Sequence, residues 1–134
     1  MISRLRILVR GLRRLHACRG GSAAVEAAFL LPLFMLALLG TFEMARVGWA
    51  QSTLNFAVQE AARCSAVRQD LCGTPARTAE FAAQKASGLR VSPEAFSVSV
   101  QSCGTEVRAT VEHKLILYRV FPSGPTLTAE FCRP

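Results

Sequence analysis

Glu26 is the residue of this sequence whose position most needs a chemical explanation. It is the only charged residue in the apolar segment that runs from Ala23 to Gly40. An ionised side chain in the middle of a membrane segment costs about 2.5–3.5 kcal/mol, and less near its end. Glu26 therefore either extends its carboxylate to the lipid headgroups or pairs with a cation. If the backbone is cut after Gly21, the new ammonium group of Ser22, or that of a neighbouring subunit, supplies this cation.

Gly20 and Gly21 precede the apolar segment and give it an accessible backbone. Glycine has no side chain and permits the extended conformation that a protease needs. A glycine pair also suits an ordinary break between two helices. The glycines are therefore compatible with a cleavage site but do not identify one by themselves.

The residue patterns of common catalytic and cofactor sites do not occur in this sequence. The two histidines are far apart: His16 lies in the basic N-terminal stretch, and His113 ends a candidate strand. No HExxH, GxxxxGKS/T, GxSxG or glycine-rich nucleotide loop occurs. The cysteines have no CxxC spacing, which argues against zinc or haem. We expect no enzymatic activity, no catalytic residue, no metal, no cofactor and no small-molecule ligand.

Four of the five cysteines follow the apolar segment, namely Cys64, Cys72, Cys103 and Cys132. An even number of cysteines on the translocated side of a membrane indicates disulfides in an oxidising compartment. Four cysteines allow three pairings, and the sequence leaves all three open. We favour Cys64–Cys72, which closes a short loop, and Cys103–Cys132, which joins two candidate strands. Four reduced thiols in a cytosolic protein are the alternative.

The positive charge of the chain is concentrated at its N-terminus. The formal net charge is +7, and residues 1–21 contain six arginines and no acidic residue. The remaining residues carry 10 basic and 9 acidic side chains and are nearly neutral. We therefore expect no nucleic-acid partner. A basic amphipathic stretch over residues 1–17 is typical of a cytoplasmic flank of a membrane segment. A mitochondrial transit peptide is the alternative, although the single serine argues against it.

Residues 22–40 predict one membrane-spanning helix. They extend about 28 Å as a helix, close to the hydrocarbon thickness of about 30 Å. Pro32 is tolerated in such a helix, and Ala27 and Ala28 let a neighbouring helix approach closely. We expect three parts: a basic leader over residues 1–21, the membrane segment over 22–40, and an extracytoplasmic domain over 41–134.

Beyond Gly40 the helix is predicted to continue in amphipathic form to about Val67. Trp49 suits either the membrane boundary or the domain core. A second, short helix is predicted from Pro75 to Ser87, with Thr74 as its cap. The predicted buried face of the long helix consists of Met44, Val47, Leu54, Val58, Ala61, Ala62 and Ser65.

The last third of the chain alternates apolar and polar residues, which predicts three strands. They cover residues 96–101, 107–112 and 126–132, and a turn is expected at residues 102–104. The apolar face of a small antiparallel sheet needs a cover, and the long helix is the element that can provide it. The predicted fold class is therefore α+β.

The stretch from Arg19 to Val67 resembles the TadE/TadG-like family of pseudopilins. The resemblance is carried by the run GSAAVEAAFLLP, by Glu43 and Met44, by Asn55 and by the sequence EAAR at residues 60–63. The closing strands, over residues 107–131, are also similar to that family.

The resemblance implies a minor pilin-like subunit of a tight-adherence (Flp-type) pilus system, located in the bacterial inner membrane. It implies processing by a prepilin peptidase, with Gly21 before the cut, Ser22 as the new N-terminus and Glu26 as the fifth-position glutamate. Serine departs from the phenylalanine usual at that N-terminus in major pilins. The implied partners are the peptidase, other pilin-like subunits, the assembly machinery and the lipid bilayer.

Two further functions remain open at the level of the sequence. The first is an uncleaved, single-pass membrane protein that acts as a scaffold or sensor. The second is a secreted, disulfide-bonded protein that is cut after Ala50, because Gly48-Trp49-Ala50 has the small-x-small pattern of a signal peptidase site.

Overall fold

The computed structural model describes residues 21–116, 118 and 122–134. Of the leader predicted over residues 1–21, residues 1–20 lie outside these residues. The described chain divides into two compact units, of which the first ends at Thr41 and the second runs from Phe42 to Pro134. The boundary falls one residue after the apolar segment ends.

The first element is a 47-residue helix, α1, from Gly21 to Val67. It ends where we predict from the periodicity, and it contains Pro32 without a break in the helix. Its residues up to Thr41 make up the described part of the first unit, and every one of them is exposed. From Ala50 onward one face of α1 is buried in the second unit.

Two short helices follow. Helix α2 (Gln69–Cys72) is a single turn that sequence analysis does not predict. Helix α3 (Pro75–Lys85) begins as predicted, with the Thr74 hydroxyl accepting a hydrogen bond from the Arg77 backbone N–H at 3.3 Å. It ends two residues before the predicted Ser87.

The sheet has three antiparallel strands in the order β1–β2–β3, which confirms the predicted α+β class. Strand β1 spans Phe96–Gln101, β2 spans Gly104–Glu112 and β3 spans Thr126–Arg133. Strand β2 begins three residues earlier than predicted, because the turn at residues 102 and 103 is tight. Val107, in the central strand, is fully buried.

One core joins α1, α3 and the sheet within the second unit. Alanines on α1 let the neighbouring elements pack closely. The largest fully buried side chains of α1 are those of Leu54 and Val58. The core residues on the other elements are Ala79, Ala82, Ala86, Phe96, Val107, Ala109, Leu127 and Ala129.

The prediction that Met44 lies on the buried face is wrong, because its side chain is 72% exposed. The fully buried face of α1 starts only at Ala50, so the core does not extend to the helical turn that carries Met44. Trp49 is also not a core residue, with 54% of its surface exposed.

Candidate functional site

The residues predicted to take part in cleavage and assembly lie at the beginning of the described part of α1. Gly21, Ser22 and Glu26 are all helical and all exposed. Ser22 and Glu26 are four positions apart, which corresponds to about one turn and about 6 Å of helix rise. Side chains at this spacing lie on the same face of a helix. The side chain of Glu26 is thus directed along the helix towards Ser22 and Gly21.

The rest of the first unit offers lipid or protein an apolar surface. Phe29 is 79% exposed and Leu33 is 65% exposed. Ala27, Ala28 and Ala37 leave a shallow apolar groove between these bulky side chains. Such an extensive apolar surface requires a non-aqueous environment or a protein partner.

This helix contains a segment apolar enough to cross a membrane. Its most apolar 18-residue window has a mean hydropathy of 2.1, and none of that window is buried within the protein. Length, hydropathy and exposure all fit a single membrane span. Glu26 forms no ion pair or side-chain hydrogen bond with another described residue.

A second polar arrangement lies at the start of the folded unit. One carboxylate oxygen of Glu43 accepts a hydrogen bond from Arg46 Nη1 at 3.0 Å, and the other accepts one from the Ile116 backbone N–H. The Glu43 side chain is only 12% exposed. Glu43 therefore attaches the loop between β2 and β3 to the beginning of the domain part of α1.

This contact is not predictable from local sequence patterns, because its partners are 73 positions apart. Two signals in the sequence point towards it. Glu43 is the first carboxylate after the apolar segment, and the β2–β3 connection contains the apolar run LILYRVF at residues 115–121. A connecting loop of this composition needs a neighbour that covers it.

A cleft of about 710 Å³ lies beside this contact in the second unit. Trp49 forms part of its wall, together with the basic residues Arg46, Arg90 and Lys114. Arg90 has a φ of 49°, a left-handed conformation that is uncommon for a residue with a side chain. The cleft is therefore basic and partly aromatic.

The four cysteines of the domain form two disulfides, and these are the two pairs that sequence analysis favours. Cys64 and Cys72 connect the end of α1 to α2, with their Sγ atoms 2.00 Å apart. Cys103 and Cys132 connect the β1–β2 turn to the end of β3, with their Sγ atoms 1.93 Å apart. Cys64 and Cys72 are buried, whereas Cys103 is exposed.

The described residues offer little for metal binding or proton transfer. No group of three or more histidine, cysteine or acidic side chains lies close enough within them to hold a metal ion. A hydrogen bond from the Ser92 side chain lowers the pKa of Glu94, a fully exposed carboxyl in the turn before β1. This shift reflects local hydrogen bonding on the surface and not a buried acid or base.

These features fit a protein anchored by a single apolar helix, with a small disulfide-bonded α+β domain. The family model for TadE-like protein matches residues 21–63, from the first residue of α1 nearly to its end. The predicted resemblance to the TadE/TadG-like family is thereby confirmed over this stretch. The match shows a likeness to TadE-like proteins over this helix and does not extend to the sheet. No curated protein and no solved structure gives a significant match.

Proposed function

We propose that this protein is a minor pilin-like subunit of a Tad (Flp-type) pilus system, matured by a prepilin peptidase that cuts after Gly21. Its role is structural and not catalytic. Its apolar helix is held in the inner membrane and then transferred into an assembly with other pilin-like subunits. The domain that follows remains on the extracytoplasmic side, where its disulfides are stable.

The observation that carries this proposal is the position of Glu26 relative to Gly21. Glu26 follows Gly21 by five positions within the described part of α1, and the TadE-like match begins at Gly21. Cleavage after Gly21 turns the Ser22 nitrogen into an ammonium group one turn from Glu26. A pair of opposite charges reduces the cost of placing either charge among apolar helices.

The apolar surface of the first unit supports transfer between lipid and a helical assembly. Bilayer and helix bundle are both apolar, so the hydrophobic effect favours neither strongly. Close packing at Ala27 and Ala28 and the pairing of Glu26 then decide whether the assembly is favoured. The exposed groove at these alanines is available to a partner helix.

Cleavage after Ala50 is disfavoured by the position of that residue. Ala50 is 1% exposed in the domain core and lies within an uninterrupted helix. A cut there would remove part of the core together with Glu43. The uncleaved anchor differs from our proposal only in the state of the N-terminus, so the N-terminus is the decisive measurement.

The test is N-terminal sequencing of the membrane-associated protein from its native envelope. Our proposal expects Ser22 as the first residue. Met1 would support an uncleaved anchor and Gln51 a secreted protein, and either result would contradict the proposal.

Gly21→Ala should block this maturation, so that the leader stays attached. Gly40→Ala is the matched control, because a Cβ at either glycine meets no atom within 4 Å. Both substitutions are therefore sterically harmless to the described structure. Normal maturation of Gly21→Ala, or equal loss of maturation in both variants, would refute the assigned cleavage site.

A further inference from the structure

The described part of the loop between β2 and β3 has two apolar side chains that are about half exposed. Ile116 is 50% exposed and Tyr118 is 57% exposed, and Lys114 precedes them. We call Lys114, Leu115, Ile116 and Tyr118 the loop surface. Exposed aliphatic and aromatic residues grouped in one connection indicate a binding surface.

Glu43 fixes where this surface lies along α1. Its carboxylate accepts the Ile116 backbone N–H, and Glu43 is three residues beyond Gly40, where the apolar segment ends. Three residues correspond to about 4.5 Å of helix rise. The headgroup region of a bilayer is about 5–7 Å thick on each side. Ile116 is therefore attached to a residue only three positions beyond the predicted membrane span of residues 22–40.

The direction of the strands agrees with this placement. Gln51 Nε2 donates a hydrogen bond to the Thr128 carbonyl at 2.8 Å, two residues into β3. Strand β3 thus contacts α1 further from the apolar segment than the loop does. The opposite end of the sheet carries the β1–β2 turn and the Cys103–Cys132 disulfide.

The composition of the surroundings matches an anionic lipid surface. Tyrosine and lysine are enriched where a protein meets the headgroups, because the ring and the alkyl chain are apolar while their ends are polar. Arg90 and Lys114 line the adjoining cleft with Trp49 and with Arg46, whose charge is paired with Glu43, and Glu112 is the one acidic residue among the described residues of its wall. Positive charge close to the bilayer attracts anionic headgroups.

We propose that the loop surface docks on the extracytoplasmic face of the bilayer, with Ile116 and Tyr118 in the headgroup region and Lys114 at anionic phosphates. This inference rests on the membrane-spanning part of the proposed function and is independent of cleavage after Gly21. Docking holds the domain against the membrane, so extraction of the subunit must also release the loop.

The experiment measures the contact of single tryptophans with lipid in the full chain. Trp49 is the only tryptophan, so Trp49→Phe provides a background into which Ile116→Trp or Tyr118→Trp is introduced. Each variant is reconstituted into vesicles of phosphatidylethanolamine and phosphatidylglycerol. These vesicles contain a lipid with a nitroxide quencher at the headgroup.

Val100→Trp is the matched control, because Val100 is 86% exposed near the opposite end of the sheet. All three positions are exposed, so tryptophan should not disturb the core. We expect several-fold stronger quenching at residues 116 and 118 than at residue 100. Omission of phosphatidylglycerol, or Lys114→Gln, should weaken the quenching of Tyr118→Trp.

Equal quenching at all three positions, or none at residues 116 and 118, would overturn the proposal. A second outcome would also overturn the proposal: the tryptophans are not quenched by lipid but become buried as the protein-to-lipid ratio rises. That result would assign the surface to contact with a second copy of the chain. Leu33→Trp, with a quencher deep in the acyl chains, reports the membrane span separately. Quenching at residue 33 without quenching at residue 116 refutes only the docking of the loop.

Discussion

At the scale of single residues, Glu26 and Glu43 are carboxylates on the same helix that differ in burial and in hydrogen-bond partners. Glu26 is exposed within an apolar helical surface, and it is the only charged residue in residues 21–41. Glu43 is largely buried and is satisfied by Arg46 and by the Ile116 backbone. Glu43 therefore has its partners within the domain, whereas Glu26 has none among the described residues.

Glu26→Ala should permit cleavage but weaken assembly. The Ser22 ammonium would then be transferred among apolar helices without its counter-charge, at a cost of about 3 kcal/mol or more. The measurement is the amount of subunit recovered with assembled pilus components, compared with its amount in the membrane. Glu80→Ala, an exposed acidic residue on α3, serves as the control. Assembly of Glu26→Ala at the level of the unmodified protein would contradict this role.

Substitution by alanine should change the free energy of unfolding in opposite directions at Gly88 and at Gly48. Gly88 has a φ of +88°, and a Cβ there would lie 2.8 Å from the Trp49 ring. Gly88→Ala should therefore reduce the free energy of unfolding by about 1–2 kcal/mol. Gly48 lies within α1, and a Cβ there would meet no atom within 4 Å. Gly48→Ala should therefore increase the free energy of unfolding by about 0.5–1 kcal/mol.

Chemical unfolding in detergent, followed by circular dichroism, measures both changes. Opposite signs are the expected result because the two glycines differ in backbone conformation and in available space. A stabilising Gly88→Ala would show that the Trp49 ring moves away without cost. The fold would then not require glycine at residue 88.

At the scale of elements, α1 performs two tasks with two compositions. Its first part is apolar on all sides, as expected for a segment surrounded by lipid or by other helices. Its second part has one buried face, rich in alanine, that packs in the core of the domain. The two disulfides lie at the ends of elements, where the backbone would otherwise separate most easily.

Removal of the two disulfides should destabilise the domain by different amounts. Cys64 and Cys72 are 8 positions apart, whereas Cys103 and Cys132 are 29 positions apart. Because a longer loop restricts the unfolded chain more, the expected losses are about 2.5 and about 3.6 kcal/mol, respectively. Paired cysteine-to-alanine variants, unfolded in urea, measure both. A larger loss for the Cys64–Cys72 pair would mean that its burial outweighs chain entropy.

At the scale of the whole molecule, the chain consists of two units with different requirements. The core lies entirely within residues 42–134, whereas residues 21–41 bury nothing within the protein. The domain therefore has its own source of stability. The first unit obtains its stability from its surroundings.

A fragment of residues 42–134 should fold without the first unit and form both disulfides. A fragment of residues 51–134 should be less stable by about 2–4 kcal/mol, because it lacks Val47, Ala50 and the hydrogen bonds of Glu43. Urea unfolding followed by circular dichroism compares the two fragments, since only the longer one contains Trp49. Equal stability would show that residues 42–50 contribute nothing to the domain.

Much of the fold follows from local patterns. The apolar run, the change to amphipathic spacing, the Thr74 cap and the alternation in the strands each depend on residues close in sequence. The end of α1 at Val67 and the α+β class were predictable for this reason. The single turn of α2 was not, because four residues carry no periodicity.

The sequence by itself determined the long helix, the capped helix and the three strands, and where Gly21, Glu26 and the apolar surface lie along α1, because these are properties of neighbouring residues. Only the tertiary structure decided that Met44 and Trp49 are exposed, that Glu43 holds the Ile116 backbone and that the loop surface lies at the start of the domain. Each of these depends on contacts between residues distant in sequence, and such contacts form only when the sheet packs against one side of the helix.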